Sequence, residues 1–197
     1  MSQLRRPMIA LLTLLNLTLL AVILWLAGHG VSGLMHKPKE LPVIAELAAF
    51  ELTREDGSRF SWESLKDHPW VADFIFTRCP NQCPLMSSRF ASLQKSLPKG
   101  VKLVSFSVDP EFDTPDVLKS YAKQFGADPA LWVFLTGDKT TIREIQKQMK
   151  LSTDDDPGMH SLRFVLVDGE GRVRGYYDST AQASPQQLLK DLRRVAK

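Results

Sequence analysis

Residues 70–84, Trp70-Val71-Ala72-Asp73-Phe74-Ile75-Phe76-Thr77-Arg78-Cys79-Pro80-Asn81-Gln82-Cys83-Pro84, decide the fold. From Trp70 to Thr77 the run is apolar or β-branched except at Asp73, which predicts a strand buried on both faces. Pro84 stands at a suitable first position for a helix reaching about Leu97. One thiol therefore follows a buried strand directly, and a helix begins just beyond it.

Outward from this stretch, strand and helix signals alternate. Downstream, Val101 to Val108 reads as a strand. Asp113-Thr114-Pro115 then opens a helix to about Phe125, with Asp113 as a capping side chain before a proline. Leu131 to Leu135 is a short strand, and Asp138 starts a helix ending near Lys150. Leu162 to Asp168 and Arg172 to Tyr177 flank Gly169-Glu170-Gly171 as a hairpin, and Ser184-Pro185 caps a last helix to Val195. Upstream, Leu47 to Thr53 and Ser58 to Ser61 flank an Asp56-Gly57 turn and predict another hairpin. Such alternation implies an α/β domain whose central sheet is covered on both faces. A closing hairpin followed by one helix makes it thioredoxin-like, with an N-terminal β-hairpin, over residues 46–197.

Residues 8–28 carry no charge, and 21 residues at 1.5 Å each span about 30 Å, the thickness of a bilayer core. Arg5 and Arg6 precede this run, so it is expected to be a single transmembrane anchor with a cytoplasmic N-terminus. A cleaved signal peptide is the rival, but the apolar run is long for one and no A-x-A site follows. Residues 29–45, with two glycines by Gly33 and two prolines, read as a linker. Its His29, Met35 and His36 read as solvated tether residues rather than ligands.

Composition narrows the chemistry. A hydrophobic fraction of 44% and a charged fraction of 24% exclude collagenous and wholly disordered chains. Beyond residue 28 the chain carries 23 basic against 22 acidic groups, too balanced for tracking nucleic-acid phosphates. Two cysteines are too few for a disulfide framework or a four-thiolate zinc site.

Cys79 and Cys83, four residues apart, can meet on one face of a tight turn or first helical turn. Backbone N–H groups at a helix start stabilise a thiolate, so one thiol is expected to be unusually acidic. A purely structural disulfide is the bland reading, but so short a loop stabilises little. Thioredoxin-type oxidoreductases use Cys-x-x-Cys. The extra residue here permits redox chemistry and favours holding something between the sulfurs. His160 immediately precedes the Leu162 strand, in a loop that a thioredoxin-like sheet turns toward the thiols. Two thiolates and an imidazole suit zinc or copper, with copper favoured by the Irving–Williams order. Met86 and Met159 read as packing rather than thioether ligands.

These residues together resemble the Sco/SenC family of membrane-tethered copper proteins involved in cytochrome c oxidase assembly. Phe76 to Pro84 is similar to its F-T-x-C-P-x-x-C-P signature, and Ser107 to Pro115 to its S-x-D-P-x-x-D-T-P segment. His160 stands where that family has its ligand histidine. The resemblance spans about residues 46–195 and implies Cys79, Cys83 and His160 as ligands of Cu(I) or Cu(II). It further implies delivery of copper to the CuA site in the copper-bearing subunit of cytochrome c oxidase. The expected location is a bacterial inner membrane, single-pass, with the domain facing the periplasm. Asp109 and Asp113 carry over as pattern residues, a turn former and a cap. The acidic run Asp154-Asp155-Asp156 departs from the pattern and reads as a solvated turn. Asp73 is a second oddity, since a buried carboxylate needs a partner.

A metallochaperone is the leading reading. Its alternative is a thiol–disulfide oxidoreductase, with Cys79 and Cys83 as the redox pair, that reduces the oxidase subunit or another copper carrier. His160 separates the two, because only the carrier needs it. A peroxidase reading fails on spacing: Thr77 stands two residues before Cys79, and Cys83 follows too closely to resolve an oxidised sulfur.

Overall fold

The computed structural model describes residues 5–33, 40–151 and 161–196, with side chains of the first segment described over 11–27. The chain divides into two compact units, Met1–Lys39 and Glu40–Lys197. The first holds one helix, α1 (Arg5–Gly33). Its polar interruptions bond to its own carbonyls, Asn16 to Leu12 O at 3.0 Å and Thr18 to Leu15 O at 2.9 Å. Among the described residues, no helix is long and apolar enough to cross a membrane. The expected transmembrane anchor is therefore not supported.

The second unit is the expected mixed α/β, thioredoxin-like domain. In chain order it contains β1 (Ala45–Glu46), β2 (Glu51–Arg54), β3 (Arg59–Ser61), β4 (Trp70–Ile75), α2 (Gln82–Leu93), β5 (Lys102–Ser107) and α3 (Pro115–Gln124). There follow β6 (Trp132–Thr136), α4 (Lys139–Gln148), β7 (Arg163–Val167), β8 (Arg172–Asp178) and α5 (Ser184–Val195). One sheet holds all eight strands in the order β1-β8-β7-β4-β5-β6-β2-β3. β4, β5 and β6 run parallel, with Asp73 opposite Ser105 and Ser105 opposite Phe134. β7 lies antiparallel to β4, and the N-terminal hairpin β2–β3 docks antiparallel on β6.

Every residue of β4 is buried because helices and loops cover both faces. Val71 and Ile75 join a core with Phe90 and Leu93 of α2, Leu118 of α3, and Leu188 and Leu192 of α5. Trp70, Ala72 and Phe74 face the other core, with Leu52, Phe60 and the α4 residues Ile142 and Ile145. Asp73 follows the odd-numbered register, so its carboxylate enters the α2–α3 side.

Element boundaries differ from the sequence reading in instructive ways. α2 begins at Gln82, two residues before Pro84. The proline is tolerated there because a first-turn N–H has no helical acceptor to lose. α3 is capped by Thr114, whose hydroxyl accepts from Val117 N, so the capping role expected of Asp113 is corrected. α5 starts at Ser184 itself with no side-chain cap. The segment read as linker is held to the domain at its end: Ile44 N donates to Val173 O at 2.8 Å, and Arg174 donates to Leu41 O. β1, only two residues long, has no periodicity to betray it.

Candidate functional site

The parallel strands β4 and β5 end side by side, and the loops leaving them are sewn together by one carboxylate. Thr77, two residues before Cys79, donates to Asp113 twice, from its backbone N–H at 3.1 Å and its hydroxyl at 2.5 Å. Ser107 at the end of β5 donates its hydroxyl to the same carboxylate at 2.5 Å. Asp113 and Ser107 are both fully buried. Asp109 is the turn former expected: its carbonyl accepts from Phe112 N and Asp113 N, and its side chain pairs with Arg78 at 2.6 Å. Arg78 also lies 4.2 Å over the Phe112 ring. The two pattern segments of the sequence thus form one rigid cradle beneath the thiol loop.

Asp113→Ala would leave the N–H and hydroxyl of half-buried Thr77 and the buried Ser107 hydroxyl without their acceptor. The expected loss is about 3 kcal/mol of stability, read by urea unfolding. Asp113→Asn should recover part of it, because the amide oxygen still accepts.

Within the cradle, Cys79 and Cys83 are free thiols on the loop and first turn of α2, both buried. Cys83 N donates to Cys79 Sγ at 3.3 Å. Burial pushes the Cys79 thiol up, but hydrogen bonds from the Cys83 backbone and thiol and from the Asn81 and Gln82 backbone outweigh it. Cys79 ends below the ordinary thiol range, the acidic thiol expected at a helix start. Cys83 behaves oppositely. Burial, then the Cys79 and Asp73 charges, push it up to about 12, against a backbone hydrogen bond at Phe76. The pair is polarised into a poised nucleophile and a withheld partner.

Asp73 lies on the face of β4 that packs into the core holding the two thiols. Asp73 is fully buried, and neither carboxylate oxygen has a hydrogen-bond partner among the described residues. Burial raises it to about 7, with Ser105 offsetting this only in part. Ser105, opposite it in register on β5, meets only part of what a buried carboxylate needs. Tyr121 of α3 shares a 3.0 Å hydrogen bond with Ser87 of α2, and Trp132 donates its indole N–H to Ser105 at 2.9 Å. The odd-numbered register of Asp73 was the one available signal.

His160, the third expected ligand, lies outside the described residues, as do Met159, Met35, His36 and the run Asp154–Asp156. The side chain of His29 also lies outside them. Met86 packs in the core, as expected. Among the described residues, no three His, Cys, Asp or Glu side chains cluster to hold a metal. Leu85 of α2 and Phe112 are 44% and 43% exposed, whereas most large apolar side chains of this unit are buried, and Arg78, Asn81 and Gln82 of the loop are exposed too.

The sequence model of the SCO1/SenC family matches residues 40–197. The chain is 33% identical over 161 residues to the SCO1 protein homolog of Bacillus subtilis, covering 77% of this chain and 83% of that one. It superposes with TM-score 0.71 and 34% identity on the solved structure of BsSco, a member of the Sco family of cytochrome c oxidase assembly proteins in which a disulfide switch was identified. That match covers 80% of this chain and 96% of BsSco. Bradyrhizobium japonicum ScoI, solved with copper bound, gives TM-score 0.61 at 27% identity over 77% of this chain and 99% of that one. A thiol loop cradled by Asp113, a thioredoxin-like sheet and these matches over the same residues lead to one assignment: the chain belongs to the SCO1/SenC family.

Proposed function

We propose that residues 40–197 carry copper and pass it to a cytochrome c oxidase subunit, with Cys79, Cys83 and His160 as the ligands. The observation that carries this reading is the polarised pair of free thiols on a loop held rigid from both sides. Cys79 offers a ready thiolate, and metal binding takes the proton from Cys83. Two sulfurs suit a soft cation such as Cu(I). The antiparallel register of β4 and β7, with Ala72 opposite Val165, supports the third ligand. It brings the start of β7 to the sheet end from which the thiol loop leaves, and His160 precedes that strand by three residues. Copper in a Sco relative and the oxidase-assembly role of BsSco point the same way.

Copper is the cargo here, handed to an acceptor whose own thiolates displace those of the carrier. Leu85 and Phe112 offer that acceptor an apolar landing around Cys79. The CuA site of the oxidase subunit, a copper-thiolate centre, is the destination proposed. The reading concerns the thiol domain and does not depend on a membrane anchor.

A second reading is favoured by the same polarisation and by the disulfide switch of BsSco: a dithiol reductant of the oxidase subunit or of another copper carrier. The two are separated by titrating the reduced full chain with Cu(I) against a chromophoric chelator. Wild type should bind one copper per chain. His160→Ala should weaken binding by at least the roughly 10–100-fold that loss of an outer-sphere partner costs. Unchanged affinity in His160→Ala, with disulfide-reductase activity intact, would remove the three-ligand carrier and leave the reductant.

A further inference from the structure

We propose that the cleft between α4 and the ends of β4 and β5 is a docking subsite for an acidic segment of the protein that exchanges copper or electrons with Cys79. Topology places it. From β4 and β5 the chain runs into α2 and α3 on one face of the sheet, whereas α4 packs on the other. Connections that part to opposite faces leave a crevice beyond the carboxyl ends of parallel strands, where such sheets bind their ligands. Here the crevice is a cavity of about 300 Å³, the size at which ligand pockets begin. Phe76, Val108 and Ile142 give it apolar walls.

Its polar groups are unspent. Gln146 of α4 is 6% exposed, lines the cleft and makes no side-chain hydrogen bond among the described residues. Gln148, two residues on, shows how such an amide is otherwise used. It accepts from Ala48 N at 2.9 Å and donates to Glu144 at 3.2 Å. A nearly buried amide with donor and acceptor both free calls for a partner that offers both, as a peptide group does. Arg143 lines the same cleft, is exposed and has no ion pair among the described residues. The neighbouring charges cancel: Lys139 pairs with Glu111 at 3.0 Å and Arg78 with Asp109 at 2.6 Å. Glu144, the one carboxylate of α4, lines a separate groove. One uncompensated guanidinium beside a free amide and apolar walls fits a carboxylate side chain on an extended peptide.

The cleft adjoins the thiol loop. Phe76 precedes Cys79 by three residues, a reach of at most about 10 Å. Asp109 also lines the cleft, and its carboxylate holds Arg78, the residue before Cys79. A partner segment seated here brings residues a few positions along its own chain to Cys79.

This inference rests on the reading that a protein partner meets Cys79, for copper or for dithiol exchange. Its test uses the reduced, metal-free full chain, so a failed copper titration leaves it standing. The isotope-labelled chain is titrated with acetyl-Glu-Leu-Glu-amide, its Gln-Leu-Gln and Lys-Leu-Lys counterparts, and inorganic phosphate. Saturable amide shifts should centre on Val108, Asp109, Arg143 and Gln146, with the Gln peptide about tenfold weaker and the Lys peptide weaker still. Gln146→Leu removes no charge and should weaken the Glu peptide about fivefold. Reach to Cys79 is read by extending the Glu and Gln peptides with Gly-Gly-Cys, its sulfur bonded to 2-nitro-5-thiobenzoate. The Cys79 thiolate attacks the peptide sulfur, the mixed disulfide forms, and the chromophore leaves as its thiolate with the bonding pair. The Glu peptide should react about tenfold faster than the Gln peptide, and in Arg143→Glu that ratio should fall to about one or below. Equal binding of the Glu and Gln peptides, full binding by Gln146→Leu, or a rate ratio of one in wild type would overturn the proposal. So would equal shifts with phosphate, which make the cleft a plain anion site, or shifts on dilution alone, which assign it to a second copy of the chain.

Discussion

Cys83→Ser is expected to lower Cu(I) affinity on the order of 10³-fold, the largest single effect in the molecule. Serine keeps the shape of the site but replaces a soft thiolate with a hard hydroxyl that does not ionise at neutral pH. Four-ligand zinc sites bind with about 10–16 kcal/mol, which assigns roughly 3–4 kcal/mol to one ligand. Cys79→Ser should weaken copper comparably, but the two variants part in their thiol chemistry. Cys79→Ser loses the acidic thiolate and with it every reaction with disulfides. Cys83→Ser retains that thiolate and lacks the sulfur that resolves the product, so it should accumulate a stable mixed disulfide. Competition with a chromophoric chelator measures the first effect, and mass spectrometry of the protein after exposure to a small disulfide measures the second. Full copper affinity in Cys83→Ser would sink the two-thiolate site.

Asp73→Asn is expected to stabilise the domain at alkaline pH. Burial raises Asp73 from 3.8 to about 7, so the fold favours the protonated acid. That contribution is fully present below about pH 4. It is lost as pH rises from there through about 7, because the unfolded chain releases the proton first. By pH 8 the ionised, unpartnered carboxylate costs about 4 kcal/mol. An asparagine has no charge to bury, so the variant should gain up to about 10 °C in Tm at pH 8 and little at pH 4. Thermal unfolding of both proteins across that range checks it. A pH-independent difference would mean that the carboxylate is satisfied in the native state.

Much of the fold was legible because its signals are local. Trp70 to Ile75 is uninterrupted by turn residues, Asp138 caps α4 through Thr141 N as its position suggests, and Asp56-Gly57 turns the N-terminal hairpin. The failures were of two kinds. β1 and the tie of Arg174 to Leu41 depend on partners more than a hundred residues away, which no window of sequence contains. α1 carries the apolar run that suggested a membrane anchor, a compositional argument that the described helix does not sustain.

At the site itself, the spacing of Cys79 and Cys83 and the helix start beside them determined the chemistry available: two thiols, one of them acidic. The motif around Asp113 was legible as a pattern and misread as a cap, because Asp-Thr-Pro offers two oxygens for one capping position. Only the parallel pairing of β4 with β5 aims Asp113 inward, where Thr77 and Ser107 converge on it. The same pairing sets Asp73 opposite Ser105 and under the thiols. Sequence determines which groups a chain possesses and the short-range geometry of neighbours. Which buried groups are left short of partners is decided where distant segments pack and water is excluded.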